Sequence, residues 1–236
     1  MHFLLTNDDG IDAPGIAALE AAVRLLPDSQ ITVVAPEVEY SLCSHRVTTN
    51  HPIALQQRGE GKYAVSGTPA DTVRLALFGL GIKPDYVLSG VNAGGNMGQD
   101  LVISGTMAAA REAAYHGIPA AAFSHYLIRS IPVDWERTAQ WTAAVLRELL
   151  GQKLADGGYW SVNFPHLPPG EQPLPNRVQA PAAREPLNVH FAQTTGASGT
   201  TLFQYDAAYS ERPRPPGSDV DVCFGGQIAV TKLTIR

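Results

Sequence analysis

The chain begins with Phe3-Leu4-Leu5-Thr6-Asn7-Asp8-Asp9-Gly10, followed closely by Ala13-Pro14-Gly15. An apolar run leads into two adjacent carboxylates and a glycine, and a helix then starts at a proline suited to its first turn. Neighbouring carboxylates repel, so each raises the other's pKa unless a positive charge sits between them. A divalent metal is the usual counter-charge. The stretch therefore predicts a buried strand that ends in an oxygen-rich site. A plain turn or helix start is the alternative at this point, because Asp and Asn are common in both.

Working outward, the pattern predicts alternating strands and helices. His2 to Thr6 reads as a strand and Pro14 to Leu26 as a helix with Ile16, Leu19, Val23 and Leu26 on one face. Ile31 to Ala35 is a second strand, Pro36 to Pro52 a polar loop, and Ile53 to Val65 a hairpin. Thr68-Pro69-Ala70-Asp71 opens a helix, with Thr68 as cap and Asp71 at the positive helix end. Tyr86 to Ser89 is a strand, Gly90 to Gly98 a glycine-rich loop, and Gly105 to His116 a helix. Ala120 to Ser124, Asp134 to Leu150 and Trp160 to Phe164 continue as strand, helix and strand. This order predicts an α/β fold: three Rossmann-like layers, a mostly parallel sheet with helices on both faces. Ligands bind such sheets outside the carboxyl ends of the strands, where Asp8-Asp9, the loop after Pro36 and the Asn92 loop all fall.

Composition changes after Phe164. Pro165 to Pro186 and Arg212 to Pro216 are proline-rich, whereas Val189 to Tyr205 and Val220 to Ile235 look β-rich. Residues 1–164 are read as the catalytic core. Residues 165–236 are read as a C-terminal β-rich arm or hairpin used in oligomerisation, the whole forming one continuous domain.

The 236 residues suffice for a sizeable core, and 44% hydrophobic against 17% charged residues marks a globular chain. A net charge of −5 without a Lys/Arg block argues against a nucleic-acid polymer as partner, though not against a single nucleotide. No apolar run approaches the roughly 20 residues of a membrane span, and the short N-terminal run ending in Asp-Asp does not read as a signal peptide. Cys43 and Cys223 form no Cys-x-x-Cys pair, which suits a cytoplasmic location.

Further candidate residues lie in two places. Ser89 to Gly98 holds four glycines, which let backbone approach a ligand, and Asn92 there can offer a neutral carbonyl oxygen. A flexible turn is the simpler reading of that loop. Ser104-Gly105-Thr106 runs into a helix, where hydroxyls and free N–H groups make an anion site as readily as an ordinary cap. Neither a dinucleotide fingerprint, a P-loop nor a Gly-x-Ser-x-Gly elbow occurs, and the seven histidines show no metal-ligand spacing.

Four blocks together resemble the SurE family, the survival-protein nucleotidases. They are Thr6-Asn7-Asp8-Asp9-Gly10 with Ala13-Pro14-Gly15; Val34-Ala35-Pro36 followed by Ser41; Gly67-Thr68-Pro69 with Asp71; and Ser89-Gly90-Val91-Asn92-Ala93-Gly94 with Asn96, Gly98 and Ser104-Gly105-Thr106. The resemblance implies a phosphomonoesterase that hydrolyses nucleoside 5′- and 3′-monophosphates. It implies one divalent cation per subunit, Mg²⁺ or Mn²⁺, and a homodimer or homotetramer with exchanged arms. The metal ligands it implies are Asp8, Asp9, Ser41 and Asn92, with Asp8 and Asp9 catalytic; Asn96, Ser104, Gly105 and Thr106 would face the phosphate. The chain departs from the pattern at Ser41-Leu42-Cys43-Ser44, where the family continues Ser-Gly-Ala-Ser, and at Ile103, where Tyr is frequent. A nucleotide-binding protein with weakened catalysis is therefore the rival expectation.

Overall fold

The computed structural model describes residues 1–170 and 172–235; Glu171 and Arg236, both in the expected arm, lie outside the described residues. The elements follow in chain order: β1 (His2–Thr6), α1 (Pro14–Arg24), β2 (Gln30–Pro36), β3 (Leu55–Gly59), β4 (Lys62–Val65), α2 (Pro69–Arg74), β5 (Tyr86–Ala93), α3 (Asp100–Ile103) and α4 (Gly105–Tyr115). They continue with β6 (Ala120–His125), α5 (Trp135–Leu150), β7 (Gly158–Phe164), β8 (Arg177–Gln179), β9 (Phe191–Thr195), β10 (Thr201–Tyr205), α6 (Asp219–Phe224) and β11 (Ile228–Thr234).

A nine-stranded sheet in the order β3-β4-β2-β1-β5-β6-β7-β11-β8 forms the middle layer. From β4 to β7 every pairing is parallel. Only β3 against β4 and β11 against β7 are antiparallel. The chain runs from β1 to one side and later returns to β5 on the other. β1 is thus the switch point of the sheet, where a crevice opens beyond the strand ends. Asp8 and Asp9 follow β1, and Asn92 lies at the end of β5.

Side-chain alternation on β1 assigns the two faces. Phe3 and Leu5 pack with Ile16, Leu19 and Val23 of α1 and with Trp141, Val145 and Leu149 of α5. Leu4 packs on the opposite face with Val73 of α2 and with Met107, Ala109, Ala110 and Ala113 of α4. The predicted three-layer, mostly parallel architecture is the observed one. Thr68 forms the predicted cap as a reciprocal box, its side chain accepting from the Asp71 N–H while the Asp71 carboxylate accepts from the Thr68 N–H.

The structure corrects two local expectations. β5 does not stop at Ser89: the ladder with β6 shifts register between Ser89 and Asn92 and then resumes through Asn92 and Ala93. Gly90, at φ +127°, supplies the irregularity, so a glycine that reads as a strand end is a bulge within one. Asn92 therefore sits on a strand rather than in a free loop. Second, Val220 to Phe224 is not β-structure but lies in α6, because the Ser218 side chain caps a helix start by accepting from the Asp221 N–H. The β-rich hairpin expected beyond residue 164 is present, and the other strands of that tail join the main sheet. β11 and β8 extend the main sheet, with β8 parallel to β11, and only the β9–β10 hairpin forms a separate two-stranded sheet.

Candidate active site

Beyond the ends of β1 and β5 lies a cavity of about 610 Å³ lined by Asp8, Ser41, Asn92, Asn96 and Ser104. Residues far apart in sequence thus converge as expected. Asp8 is 4% exposed. Its Oδ1 accepts a hydrogen bond from the Thr106 hydroxyl at 2.6 Å. Burial, then the neighbouring Asp9, push its pKa up to about 7, against the opposing pull of Thr106. Asp9 is also raised, by burial and by Glu39, while its Oδ2 accepts from the Ala93 N–H at 2.9 Å.

The start of α4 abuts this pair. A Cβ on Gly105 would lie 2.8 Å from Asp8 Cβ, 3.0 Å from Asp8 Oδ2 and 2.9 Å from Cys43 Sγ. Only glycine lets the helix N-terminus approach the carboxylate so closely. Ser104 caps that helix, its Oγ accepting from the Met107 N–H at 3.2 Å, and still lines the cavity. Thr106 does not: it is fully buried behind Asp8, and its hydroxyl orients the carboxylate. The Thr106 hydroxyl, expected to face the phosphate, is thus turned to the Asp8 carboxylate.

Asn92 turns its amide N–H to the Gly94 carbonyl at 2.7 Å, which leaves its side-chain oxygen as an acceptor. Asn96 is held on several sides: its N–H donates to Asn163 Oδ1, its carbonyl accepts from Asn163 Nδ2, and its side-chain amide donates to Ser124 Oγ. Asn163 and Ser124 lie on β7 and β6, so the sheet itself holds this side chain at the cavity. Nothing in the spacing of Asn163 and Ser124 had marked them.

The loop carrying Ser41 is one of the two places where the chain departs from the pattern it resembles. Leu42 occupies the position of the family's glycine at φ +57° and is 74% exposed. The backbone thus adopts the left-handed conformation that favours glycine, at a cost of roughly 1–2 kcal/mol. Several contacts hold it there. The Tyr40 N–H donates to the Asp8 carbonyl, and the Ser44 N–H and hydroxyl donate to the carbonyls of Ile103 and Val102. Further along, the Thr48 N–H and hydroxyl donate to Asp71, and the Thr68 hydroxyl donates to the Arg46 carbonyl. His45 Nε2 also meets Glu112 at 2.7 Å. The Gly67-Thr68-Pro69 block with Asp71 thus serves the site indirectly, by anchoring the Ser41 loop. The Ser41 hydroxyl itself donates to Glu39 Oε1 at 2.5 Å.

The donor set suits a hard divalent cation. Asp8 and Asp9 carboxylates, the Ser41 hydroxyl and the Asn92 amide oxygen are all oxygen donors. No lysine or arginine is among the described residues lining the cavity. The described residues hold no cluster of three or more His, Cys, Asp or Glu side chains that could hold a metal. Any ion here therefore depends on two carboxylates plus neutral oxygens, and on water or ligand for the rest. No local signal marks the outer lining, to which Gln99, Asp100, Leu187, Val189, Tyr205 and Tyr209 contribute.

A Rossmann-like sheet with a buried and a half-buried carboxylate, a glycine-bearing helix start and amide oxygens at its switch point defines an α/β protein with an oxygen-rich cavity at its strand ends. The model of the family "Survival protein SurE" matches residues 3–181. The chain belongs to the SurE family. It is 49% identical over 235 residues to a Nostoc sp. protein whose name assigns it provisionally to the 5′-nucleotidases, with both chains covered in full. It is 39% identical over 238 residues to the 5′-nucleotidase SurE of Rhizorhabdus wittichii, covering 99% of this chain and 93% of that one. The crystal structure of the SurE protein from Aquifex aeolicus superposes with a TM-score of 0.87 at 30% identity, covering 100% of this chain and 94% of the other. No helix among the described residues is long and apolar enough to cross a membrane.

Proposed function

We propose that the protein is a metal-dependent phosphomonoesterase that releases phosphate from nucleoside 5′-monophosphates, and from 3′-monophosphates as well. The observation that carries this reading is the convergence of Asp8, Asn92, Asn96 and Ser104 on one cavity without a cationic side chain, in a chain whose full-length relatives are named 5′-nucleotidases. A phosphate dianion and two carboxylates repel each other, so an oxygen-ligated divalent cation, Mg²⁺ or Mn²⁺, is the group that makes the site coherent.

Asp8, Asp9, Asn92 and Ser41 would hold that ion. Bound there, it supplies Lewis-acid polarisation of a phosphoryl oxygen and lowers the pKa of water. The chain does the rest. Thr106 keeps the Asp8 carboxylate turned toward the cavity, and the Ala93 N–H keeps Asp9 in place. Ser104 and the Asn96 region, backed by Asn163 and Ser124, present polar groups to the phosphate oxygens, and the α4 N-terminus favours their negative charge. One of the two aspartates takes the proton of the attacking water; direct attack by an aspartate, forming an aspartyl-phosphate, is the mechanistic alternative. Rapid-quench trapping separates the two routes.

The protein is proposed to work in the cytoplasm, in keeping with its free Cys43 and Cys223. The β9–β10 hairpin leaves Phe191, Leu202 and Phe203 at least half exposed. Such an apolar arm supports assembly into a homodimer or homotetramer. Phosphate release from AMP, GMP and 3′-AMP with Mg²⁺ or Mn²⁺, measured for wild type and Asp8→Asn, tests the reading. Hydrolysis by the wild type and its loss in the variant are expected. Full activity in Asp8→Asn would remove the site assignment, and a metal-loaded wild type that only binds nucleotide would establish the weakened-catalysis rival.

A further inference from the structure

Residues 95–97, which include Asn96, pair with no strand. Their backbone polar groups must therefore find partners elsewhere, and side chains supply them. The Asn96 N–H and carbonyl go to Asn163 of β7. The neighbouring groups are met from the C-terminal tail. Arg212 Nη2 donates to the Met97 carbonyl at 3.0 Å. The Tyr209 hydroxyl lies 2.9 Å from the Gly95 carbonyl oxygen, and Asp219 Oδ2 accepts from the Gly98 N–H at 2.8 Å.

This clamp is buried and closed on itself. Arg212 is 6% exposed and Asp219 fully buried. Arg212 Nη1 donates to Asp100 Oδ2 at 2.5 Å, and the same oxygen faces the Tyr209 hydroxyl at 2.8 Å and accepts from the Met97 N–H at 3.3 Å. Asp219 Oδ1 accepts from the Ala183 and Val220 N–H groups, so one carboxylate joins the Asn96 loop to two parts of the tail. The contact is close as well as polar. Gly98 holds φ +55°, and a Cβ there would lie 3.1 Å from the Ala183 carbonyl oxygen, so only glycine allows this approach.

The Asn96 side chain lines the cavity. Its amide donates one N–H to Ser124 Oγ and carries a second for a phosphate oxygen. Where that N–H points depends on the backbone of residues 95–98, and a shift of about 1 Å in such a group can cost up to about a hundredfold in rate. We propose that Arg212, with Tyr209 and Asp219, is a positioning residue of the phosphate end: the tail sets the loop that aims Asn96. The proposal rests on the phosphomonoesterase reading above and deepens it, by making the C-terminal tail part of the apparatus that binds phosphate.

The test uses Arg212→Lys, because a lysine keeps a positive charge beside Asp100 but cannot also reach the Met97 carbonyl as the planar fork does. Binding of inorganic phosphate to the Mg²⁺-loaded protein is measured by calorimetry, together with kcat/KM for AMP. Both are expected to fall about tenfold in Arg212→Lys, with Mg²⁺ affinity and melting temperature close to those of the wild type. Tyr209→Phe, which removes only the hydroxyl at Gly95, is expected to show a smaller loss of the same kind. In an Asn96→Ala background, Arg212→Lys should cost no more than about twofold further, since it acts through that side chain. Wild-type phosphate binding in both single variants overturns the proposal. So does a loss that is undiminished when Asn96 is absent, or one matched by an equal loss of Mg²⁺ affinity, because the tail would then brace the fold at large. A wild type that neither binds phosphate nor releases it from AMP overturns the phosphomonoesterase reading, and this proposal with it.

Discussion

In the metal-free protein, Asp8→Asn should stabilise the fold while abolishing its chemistry. Asp8 is 4% exposed, and its pKa rises from 3.8 to about 7. A raised carboxylate pKa means that the folded state prefers the neutral form. The sign follows directly: below pH 3.8 both states are protonated and no penalty exists. As pH rises toward 7 the unfolded chain ionises more readily than the folded one, and stability falls. Three pKa units correspond to at most about 4 kcal/mol above pH 7, of which roughly 1.5 kcal/mol is already present at pH 5. Asparagine retains an oxygen for the Thr106 hydroxyl but buries an N–H, a pH-independent cost of about 1 kcal/mol. The readout is therefore the slope. Urea denaturation with chelator at pH 5 and pH 8 should show the advantage of the variant over wild type growing by about 2.5 kcal/mol. Asp9, also raised by burial and by Glu39, costs both proteins stability alike as pH rises and so cancels in this difference. Added Mg²⁺ or Mn²⁺ should then favour the wild type, by about 2.7 kcal/mol at a hundredfold excess over Kd. A stability difference independent of pH would refute the reasoning, because it would mean that Asp8 is not a buried, uncompensated carboxylate.

Gly105→Ala should lower stability by about 1–3 kcal/mol, because the crowding of its Cβ against Asp8 and Cys43 outweighs any helix-propensity gain at this first helical position. Because its Cβ would press on Asp8 and Cys43, kcat/KM should fall at least about tenfold; a thermal melt and a phosphate-release assay read the two effects separately. Glu112 is buried and accepts from His45, Arg74 and His116, contacts that hold its pKa down at about 2 against the opposing effect of burial. A lowered carboxylate pKa contributes stability above pH 4.5 that is lost as pH falls through about 2. Glu112→Gln should therefore destabilise by up to about 3 kcal/mol at pH 7, and markedly less at pH 3, in paired denaturation curves. At Leu42, φ +57° predicts opposite responses to two substitutions. Leu42→Gly should change stability by less than about 1 kcal/mol, as relieved strain offsets lost entropy, whereas the β-branched Leu42→Val should lower it.

The sheet was legible because its information is local. Phe3-Leu4-Leu5 ends in Asp8-Asp9, Pro14 starts α1 and Thr68 caps α2, and each signal is complete within a few residues. The acidic pair and Asn92 were legible for the same reason. Where the reading failed, distant partners decide. Gly90 reads as a strand end, yet β6 keeps pairing beyond it, and that ladder lies some thirty residues downstream. Thr106 reads as a phosphate ligand because a hydroxyl at a helix start suits either role; only the proximity of Asp8 shows which way it turns. The outer wall was invisible, because Tyr209 and Arg212 reach the cavity through Asp100, across a proline-rich tail with no periodicity to place it. The departure at Leu42 weakens the Ser41 loop less than its sequence suggests, since Tyr40, Ser44 and Thr48 anchor the backbone on either side.

The central claim is that Asp8, Asp9 and neutral oxygens at the sheet's switch point hold a divalent cation that makes phosphate-ester hydrolysis possible. Phosphate release from AMP by protein stripped with chelator, then titrated with Mn²⁺ or Mg²⁺, tests it most directly. The account predicts no release from the stripped protein and full recovery at one ion per chain. Turnover that persists through chelation, or a metal-loaded and folded protein that releases no phosphate, would contradict it.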